Sequence, residues 1–146
     1  MGIHTALDTN GSLGPRLSDA ELEKMDLVLL DIKSWDAERH RLLTRSDVWP
    51  VLAFASRLAA LKRPVWLRFV LLPGLTDDRE DIAQIASFAA DLGNVERVDV
   101  LPFHQMGRYK WQELKLNYTL SEVRSPTAEA VEQVRGQFRA AGVVAS

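Results

Sequence analysis

Four short segments of the chain are nearly continuous in apolar, β-branched or aromatic residues and are bounded by turn or capping residues. Short runs of this kind are typical of strands buried in a sheet. They alternate with segments in which apolar residues recur at helical spacing, and this alternation favours βα units around a parallel sheet. The predicted strands are Ile3–Asp8, Asp26–Asp31, Val65–Leu72 and Val95–Pro102.

Capping residues predict where the helices between these strands begin and end. The stretch from 34 to 61 is predicted to hold two helices that separate near Val48-Trp49-Pro50, because proline disfavours the helical conformation in the residue before it. Elsewhere, hydroxyl and carboxylate side chains predict helix starts, and glycines predict helix ends. The predicted starts are Ser18 with its capping-box partner Glu21, the cap at Thr76–Asp78, and Ser125 with Pro126; the predicted ends are Gly93 and Gly142.

The composition indicates one globular domain over residues 1–146, since 47% of the residues are hydrophobic and 26% are charged. A formal net charge of -2 gives no reason to expect nucleic acid or anionic lipid, because both are bound by clustered Lys and Arg. The apolar stretches are too short to span a membrane, and the N-terminus lacks the features of a secretory signal. A cytoplasmic protein that binds neither nucleic acid nor membranes is therefore predicted.

The chain contains no cysteine. This excludes disulfides, thiolate nucleophiles and zinc–thiolate sites built from these residues. It also excludes iron–sulfur ligation by this chain alone, since such clusters are held by cysteine thiolates.

The number of predicted strands does not suffice to close a barrel. With four strands, at least one edge of the sheet is expected to be left unpaired, and an open edge invites association. Either the sheet is open or strands are missing. Because the chain begins almost directly inside its first predicted strand, we expect the missing-strand arrangement.

The predicted carboxyl ends of the strands are unusually polar, and ligand sites of parallel α/β proteins lie at these ends. Asp31 and Lys33 have the same parity and are predicted to face one side. Arg68 interrupts an apolar strand. Because a lone guanidinium would be costly on the helix-covered face, Arg68 is predicted to point into the interior. Together with Asp8 and His104, these residues predict a site for a small polar or charged ligand.

Each of these residues also has an ordinary structural interpretation. Asp8 begins a stretch of common turn residues. Asp31 and Lys33 could pair with each other, and Arg68 could pair with an acid of the core. His104 could be a satisfied core or capping histidine, and the two histidines outside this group are interpreted as structural. The reaction type stays open, because a lysine at a strand end could also be the Schiff-base nucleophile of an aldolase-like barrel.

Several strings of residues resemble a known family in their order and spacing along essentially all of the chain. The family is that of the pyruvate formate-lyase-activating enzymes, which are radical S-adenosylmethionine (radical SAM) enzymes. The strings are Gly2–Gly11, Asp26–Lys33, Val65–Val70 with Pro73-Gly74, Leu101–His104, and Gly107 with Lys110-Trp111.

The resemblance implies a fold and an activity. The family is a six-stranded partial (β/α) barrel, and the four predicted strands look like its last four βα units. Its members are oxidoreductases that use S-adenosylmethionine and a [4Fe-4S] cluster to generate a glycyl radical on a partner such as pyruvate formate-lyase, with an electron donor such as flavodoxin. The CxxxCxxC cluster motif and the Gly-Gly-Glu segment of the family have no counterpart in this chain.

Roles for individual residues follow from the same resemblance. Asp8, Lys33 and His104 resemble positions that contact S-adenosylmethionine, with Thr9 and Asp31 beside them. Asp8, Thr9 and Asp31 also resemble a site for a monovalent cation, which hard oxygen ligands would suit.

Arg68 resembles the residue that faces the glycine loop of the partner enzyme, where several N–H donors can hold peptide carbonyls. Because the cluster ligands are absent, we expect the chain to be inactive alone. Two alternatives are kept: an aldolase-like barrel that uses Lys33, and a non-catalytic module that binds S-adenosylmethionine or the partner.

Overall fold

The computed structural model describes residues 3–12, 14–103 and 124–146. In this part of the chain four strands form one parallel sheet in the order β1-β2-β3-β4, so the predicted α/β fold with a parallel sheet is confirmed. The strands are β1 (Ala6–Thr9), β2 (Leu27–Asp31), β3 (Val65–Leu71) and β4 (Val95–Pro102), and the helices are α1 (Asp19–Glu23), α2 (Ala37–Thr44), α3 (Trp49–Ala60), α4 (Arg79–Leu92) and α5 (Ala128–Ala140), with a 3-10 turn at Gly14–Arg16.

The two faces of the sheet differ in what they carry. Side chains of β3 alternate between buried and half-buried positions along the whole strand. The buried set, which includes Phe69, packs with apolar residues of α3, α4 and α5 into one core cluster. The alternate set, which includes Arg68, lies on the opposite face, called here the open face. The helices therefore cover one side of the sheet, as the period of two predicts.

The strand boundaries agree with the predictions except at β1. The predicted strand Ile3–Asp8 begins three positions too early, because pairing with β2 starts at Ala6, opposite Leu27. Before this point Thr5 is held differently, since its amide donates to the carboxylate of Asp26 at 2.7 Å.

Two helix starts also differ from the prediction. Of the residues in the predicted Thr76–Asp78 cap, Asp78 is the one that caps α4, and its Oδ1 accepts from the amide of Asp81 at 2.9 Å. The predicted start at Ser125 with Pro126 is wrong by two residues. Thr127 caps α5 instead, because its hydroxyl accepts from the amide of Ala130 at 3.1 Å.

The remaining helix predictions are confirmed. Ser18 and Glu21 form both hydrogen bonds of the capping box at the start of α1. The stretch from 34 to 61 holds α2 and α3, and Pro50 lies in the first turn of α3. Proline is tolerated in a first turn because the amide that it lacks would have no helical partner there.

The two edge strands of the sheet, β1 and β4, differ in their hydrogen bonding. At the outer edge of β4, the amide of Val98 donates to Val144 O at 2.7 Å and the amide of Val100 donates to Ser146 O at 2.8 Å. The last residues of the chain therefore cover part of this edge. Within the described ranges, β1 pairs with β2 alone, as expected for an incomplete barrel.

None of the helices in the described part of the chain is long and apolar enough to cross a membrane.

Gly14→Ala tests the packing of the 3-10 turn against α3, and Gly136→Ala is its control. A Cβ atom at Gly14 would lie 2.5 Å from Phe54 Cδ2, whereas one at Gly136 in α5 would meet nothing within 4 Å. We expect Gly14→Ala to lower the free energy of unfolding by about 1–3 kcal/mol through overpacking. Gly136→Ala is expected to raise it by up to about 1 kcal/mol, because alanine favours a helix interior. Urea unfolding measures both, and a Gly14→Ala protein as stable as the parent would contradict this packing.

Candidate functional site

The open face brings together charged residues from β1, from the carboxyl end of β2 and from the middle of β3. The register places Asp31 of β2 opposite Arg68 of β3, and Arg68 opposite Asp99 of β4. Asp8 comes from β1, on the far side of β2. This set of Asp8, Asp31, Lys33 and Arg68 is called here the rim.

Arg68 joins two acids of the rim that belong to different strands. Its Nη1 donates to Asp8 Oδ2 at 3.2 Å, and its Nη2 donates to Asp8 Oδ1 as well. Nη2 also donates to Asp31 Oδ2 at 3.3 Å, while Nε lies 3.2 Å from Asp31 Oδ1. One guanidinium thus links β1, β2 and β3, and the prediction that Arg68 leaves the helix-covered face is consistent with this geometry.

Asp8 and Asp31 keep the guanidinium of Arg68 positively charged. The side chain of Arg68 is 22% exposed, and that burial acts to lower its pKa. The hydrogen bonds and charges of Asp8 and Asp31 outweigh the burial and raise the pKa of Arg68 above its usual value. The guanidinium therefore stays cationic in this position. It requires the two carboxylates as partners, because a poorly paired charge removed from water is costly.

Lys33 lies next to Asp31, just beyond the end of β2. Its Nζ is 3.9 Å from Asp31 Oδ2, and each side chain is 21% exposed. Burial lowers the pKa of Lys33, and the charge of Asp31 opposes that shift. The ion pair that was one interpretation of these residues is therefore present, and it lies within the rim rather than apart from it.

Thr9 is adjacent to Asp8, and its side chain stabilises the backbone turn that follows β1. Its hydroxyl accepts from the amide of Gly11 at 3.0 Å, which stabilises the turn after β1. Gly11 has a φ of 77°, and a Cβ atom there would lie 3.0 Å from Leu30 Cδ1. A side chain at this position would be both strained and crowded, so the turn requires glycine.

Two of the three histidines lie in the described residues, and neither is a residue of the rim. His104, predicted to be near the ligand, lies outside the described residues, as do Gly107 and Lys110-Trp111 of the resemblance. His40 is 2% exposed, and its Nδ1 lies 3.0 Å from Ser46 O. Burial lowers the pKa of His40, which agrees with a structural role, and His4 is exposed.

Sequence reasoning missed a second charged group on the open face. The guanidinium carbon of Arg97 stacks 3.7 Å from the ring centre of Trp66, and its Nε lies 3.0 Å from Asp99 Oδ1. Trp66 is half-buried on this face. The alternation of Arg97 and Asp99 with buried Val98 was the pattern that could have revealed the group.

The described residues offer oxygen ligands on the rim but no cluster of three metal-binding side chains. No group of three or more His, Cys, Asp or Glu in those ranges is placed to hold a metal ion. The carboxylates of Asp8 and Asp31 are instead engaged by Arg68.

Solved structures with the same arrangement of strands and helices define the class of protein. A domain of pyruvate-formate lyase-activating enzyme from Bacteroides vulgatus superposes with a TM-score of 0.80 at 25% identity, over 99% of this chain and 80% of that one. A radical SAM methyltransferase from Sphaerobacter thermophilus superposes with a TM-score of 0.69 at 18% identity, over 97% of this chain and 39% of that one, and shows the fold alone. The chain has the α/β fold of radical SAM domains, consistent with a partial barrel.

Curated relatives that match the chain include pyruvate formate-lyase-activating enzymes. The chain is 40% identical over 141 residues to the pyruvate formate-lyase-activating enzyme of Staphylococcus epidermidis, and 42% identical over 137 residues to that of Staphylococcus aureus. Each match covers 90% of this chain and 55% of the relative, so the chain spans about half the length of the curated relatives that it matches. No protein-family model matches the chain. The predicted resemblance is confirmed: the chain is a homologue of part of the pyruvate formate-lyase-activating enzymes.

The titration of Lys33 tests the electrostatics of the rim. We expect Lys33 to lose its proton below the usual pH range of lysine, and Asp31→Asn to lower its pKa further because the main opposing charge is removed. Asp8→Asn is the matched control and should lower it less, since Asp8 contributes less. NMR chemical shifts of the Lys33 ε-CH2 group, followed against pH, give the pKa of Lys33 in the parent and in both variants.

The same shift has a consequence for stability. Between the lowered pKa of folded Lys33 and the usual value of the unfolded chain, the unfolded state binds more protons. The contribution of Lys33 to the free energy of unfolding therefore increases as the pH rises through that interval. A Lys33 that titrates at or above the usual lysine value would contradict both expectations.

Proposed function

We propose that this chain provides the S-adenosylmethionine-binding rim and part of the partner surface of an activating enzyme for a glycyl radical enzyme of the pyruvate formate-lyase type. The observation that carries the proposal is the rim itself, in which Asp31 and Lys33 lie side by side and Arg68 joins Asp8 to the same group. The names of the curated relatives support the same target.

The rim suits the amino-acid end of S-adenosylmethionine, which carries both an ammonium and a carboxylate. Lys33 would pair with the carboxylate and Asp8 would accept from the ammonium, since charge-assisted hydrogen bonds are the strong ones. Asp8 suits this role because its side chain is 62% exposed beside a half-buried cation. Contacts from Thr9, Asp31 and His104 are part of the proposal and rest on the resemblance.

The iron–sulfur cluster of the family does not fit the residues present. The 146 residues include no cysteine, so this chain offers no thiolate ligands. In the family the cluster supplies the electron that cleaves S-adenosylmethionine. We propose that its ligands, and the contact with an electron donor such as flavodoxin, come from outside these residues.

A monovalent cation at Asp8, Thr9 and Asp31 remains part of the proposal. Carboxylate and hydroxyl oxygens suit such an ion. In the structure Arg68 donates to both carboxylates, and the Thr9 hydroxyl accepts from Gly11. A cation between the acids would therefore compete with the guanidinium for the same oxygens.

Arg68 is proposed to contact the glycine loop of the partner enzyme. A guanidinium has five N–H donors, and peptide carbonyls would be suitable acceptors. Because Asp8 and Asp31 already hold Arg68, it would reach the loop with donors that these acids leave available or after exchanging one of them.

Calorimetry with S-adenosylmethionine tests the proposed site. We expect binding in the micromolar range and a loss of at least about tenfold in affinity for Lys33→Ala, because a charged hydrogen bond to the carboxylate is removed. The matched control is Lys24→Ala, which removes an exposed lysine after α1. Equal affinity of the Lys33→Ala protein and the parent would contradict the proposal.

Reconstitution tests the expected inactivity of the isolated chain. Supplied with iron, sulfide and reductant, the purified chain should not cleave S-adenosylmethionine, because it lacks cluster ligands. The Staphylococcus aureus relative, treated in the same way, is the positive control. Cleavage by the chain alone would refute the expectation, and borohydride trapping of a carbonyl substrate on Lys33 would favour the aldolase-like alternative instead.

A further inference from the structure

Asp81 is a buried acid that lies in the first turn of α4 and binds the segment following β2. The residue is only 6% exposed. The hydroxyl of Ser34 lies 3.1 and 3.0 Å from its two oxygens. Its Oδ1 also accepts from the amide of Trp35 at 3.0 Å and from the amide of Asp36 at 2.7 Å. Three consecutive residues thus direct their donors at one carboxylate.

These contacts compensate the burial of the carboxylate. A buried charge is costly unless it is hydrogen-bonded, and Asp81 has donors from the 34–36 segment together with Arg39 Nη1 at 4.0 Å. The first turn of α4 adds a favourable contribution, because free amides at a helix N-terminus stabilise negative charge. The carboxylate therefore acts as a clamp between α4 and the chain after β2.

The clamp lies directly beside Lys33. Ile32 and Ser34, its neighbours in sequence, are both 0% exposed. The amide of Ile32 donates to Arg68 O at 3.1 Å, which fixes that side to β3. Ser34 is fixed to α4 through Asp81. The backbone of Lys33 is thus held on both sides.

We propose that Asp81 is a positioning residue for Lys33: by clamping residues 34–36 to α4, it keeps the Lys33 ammonium beside Asp31 on the rim. The placement of Lys33 stands on the contacts of the clamp. Its consequence for S-adenosylmethionine rests on the proposed function.

A ligand-free experiment tests the placement. Asp81→Asn keeps the size of the side chain but removes one acceptor oxygen and the charge. We expect hydrogen exchange at the amides of Trp35 and Asp36 to become at least about tenfold faster, because local opening becomes easier. The NMR order parameter of the Lys33 ε-CH2 group is expected to fall, because the side chain is no longer held beside Asp31.

The matched control is Asp78→Asn. It makes the same change of charge at the same helix end, and asparagine is an equally good cap. It should leave both readouts unchanged. If Asp81→Asn does not fold, Ser34→Ala is tested in its place. It removes only the hydroxyl, so it should change both readouts in the same direction as Asp81→Asn, by a smaller amount. An unchanged Lys33 order parameter in the folded Asp81→Asn protein, or in Ser34→Ala when that variant decides, would overturn the inference.

Ligand binding provides the second test. Asp81→Asn should weaken S-adenosylmethionine binding by about tenfold in the parent protein, and should have no further effect when Lys33→Ala is already present. An equal loss in both backgrounds would show that Asp81 does not act through Lys33 and would overturn the inference. Absence of ligand binding by the parent, with the ligand-free results as expected, would refute the proposed function and support the placement.

Discussion

The interaction on which the rim depends is the bridge made by Arg68. Its guanidinium lies between carboxylates from two other strands, so β1, β2 and β3 are joined through one side chain. With Lys33 beside Asp31, the rim holds two acids and two bases. A zwitterionic ligand could exchange partners within such a balanced group without leaving a net charge buried, which would be costly in a partly desolvated site.

Much of this arrangement could be predicted because it follows from the period of two in a strand. An arginine within an apolar run has to leave the helix-covered face, and Asp31 shares that face through the register. The choice among neighbouring capping residues could not be predicted. Ser125 and Thr127 both carry hydroxyls two positions apart, and the structure caps the helix with Thr127.

The clamp at Asp81 shows a different limit of sequence reasoning. An acid in the first turn of a helix is ordinarily explained by the free amides of that turn. Here the carboxylate binds donors 45 to 47 positions away in the chain. No local pattern encodes such contacts, because they depend on how α4 packs beside the segment after β2.

Three segments that follow strands of the sheet are each fixed by a side chain that bonds to backbone. Thr9 holds the turn after β1, Asp81 holds the segment after β2, and the Thr76 hydroxyl accepts from Leu72 N–H at 2.7 Å and donates to Val70 O at 2.8 Å after β3. These contacts fix the backbone from which side chains of the rim extend. Under the proposed function, discrimination at the rim would depend on whether a ligand matches charges already in place, since preorganised groups favour the partner that fits them without rearrangement.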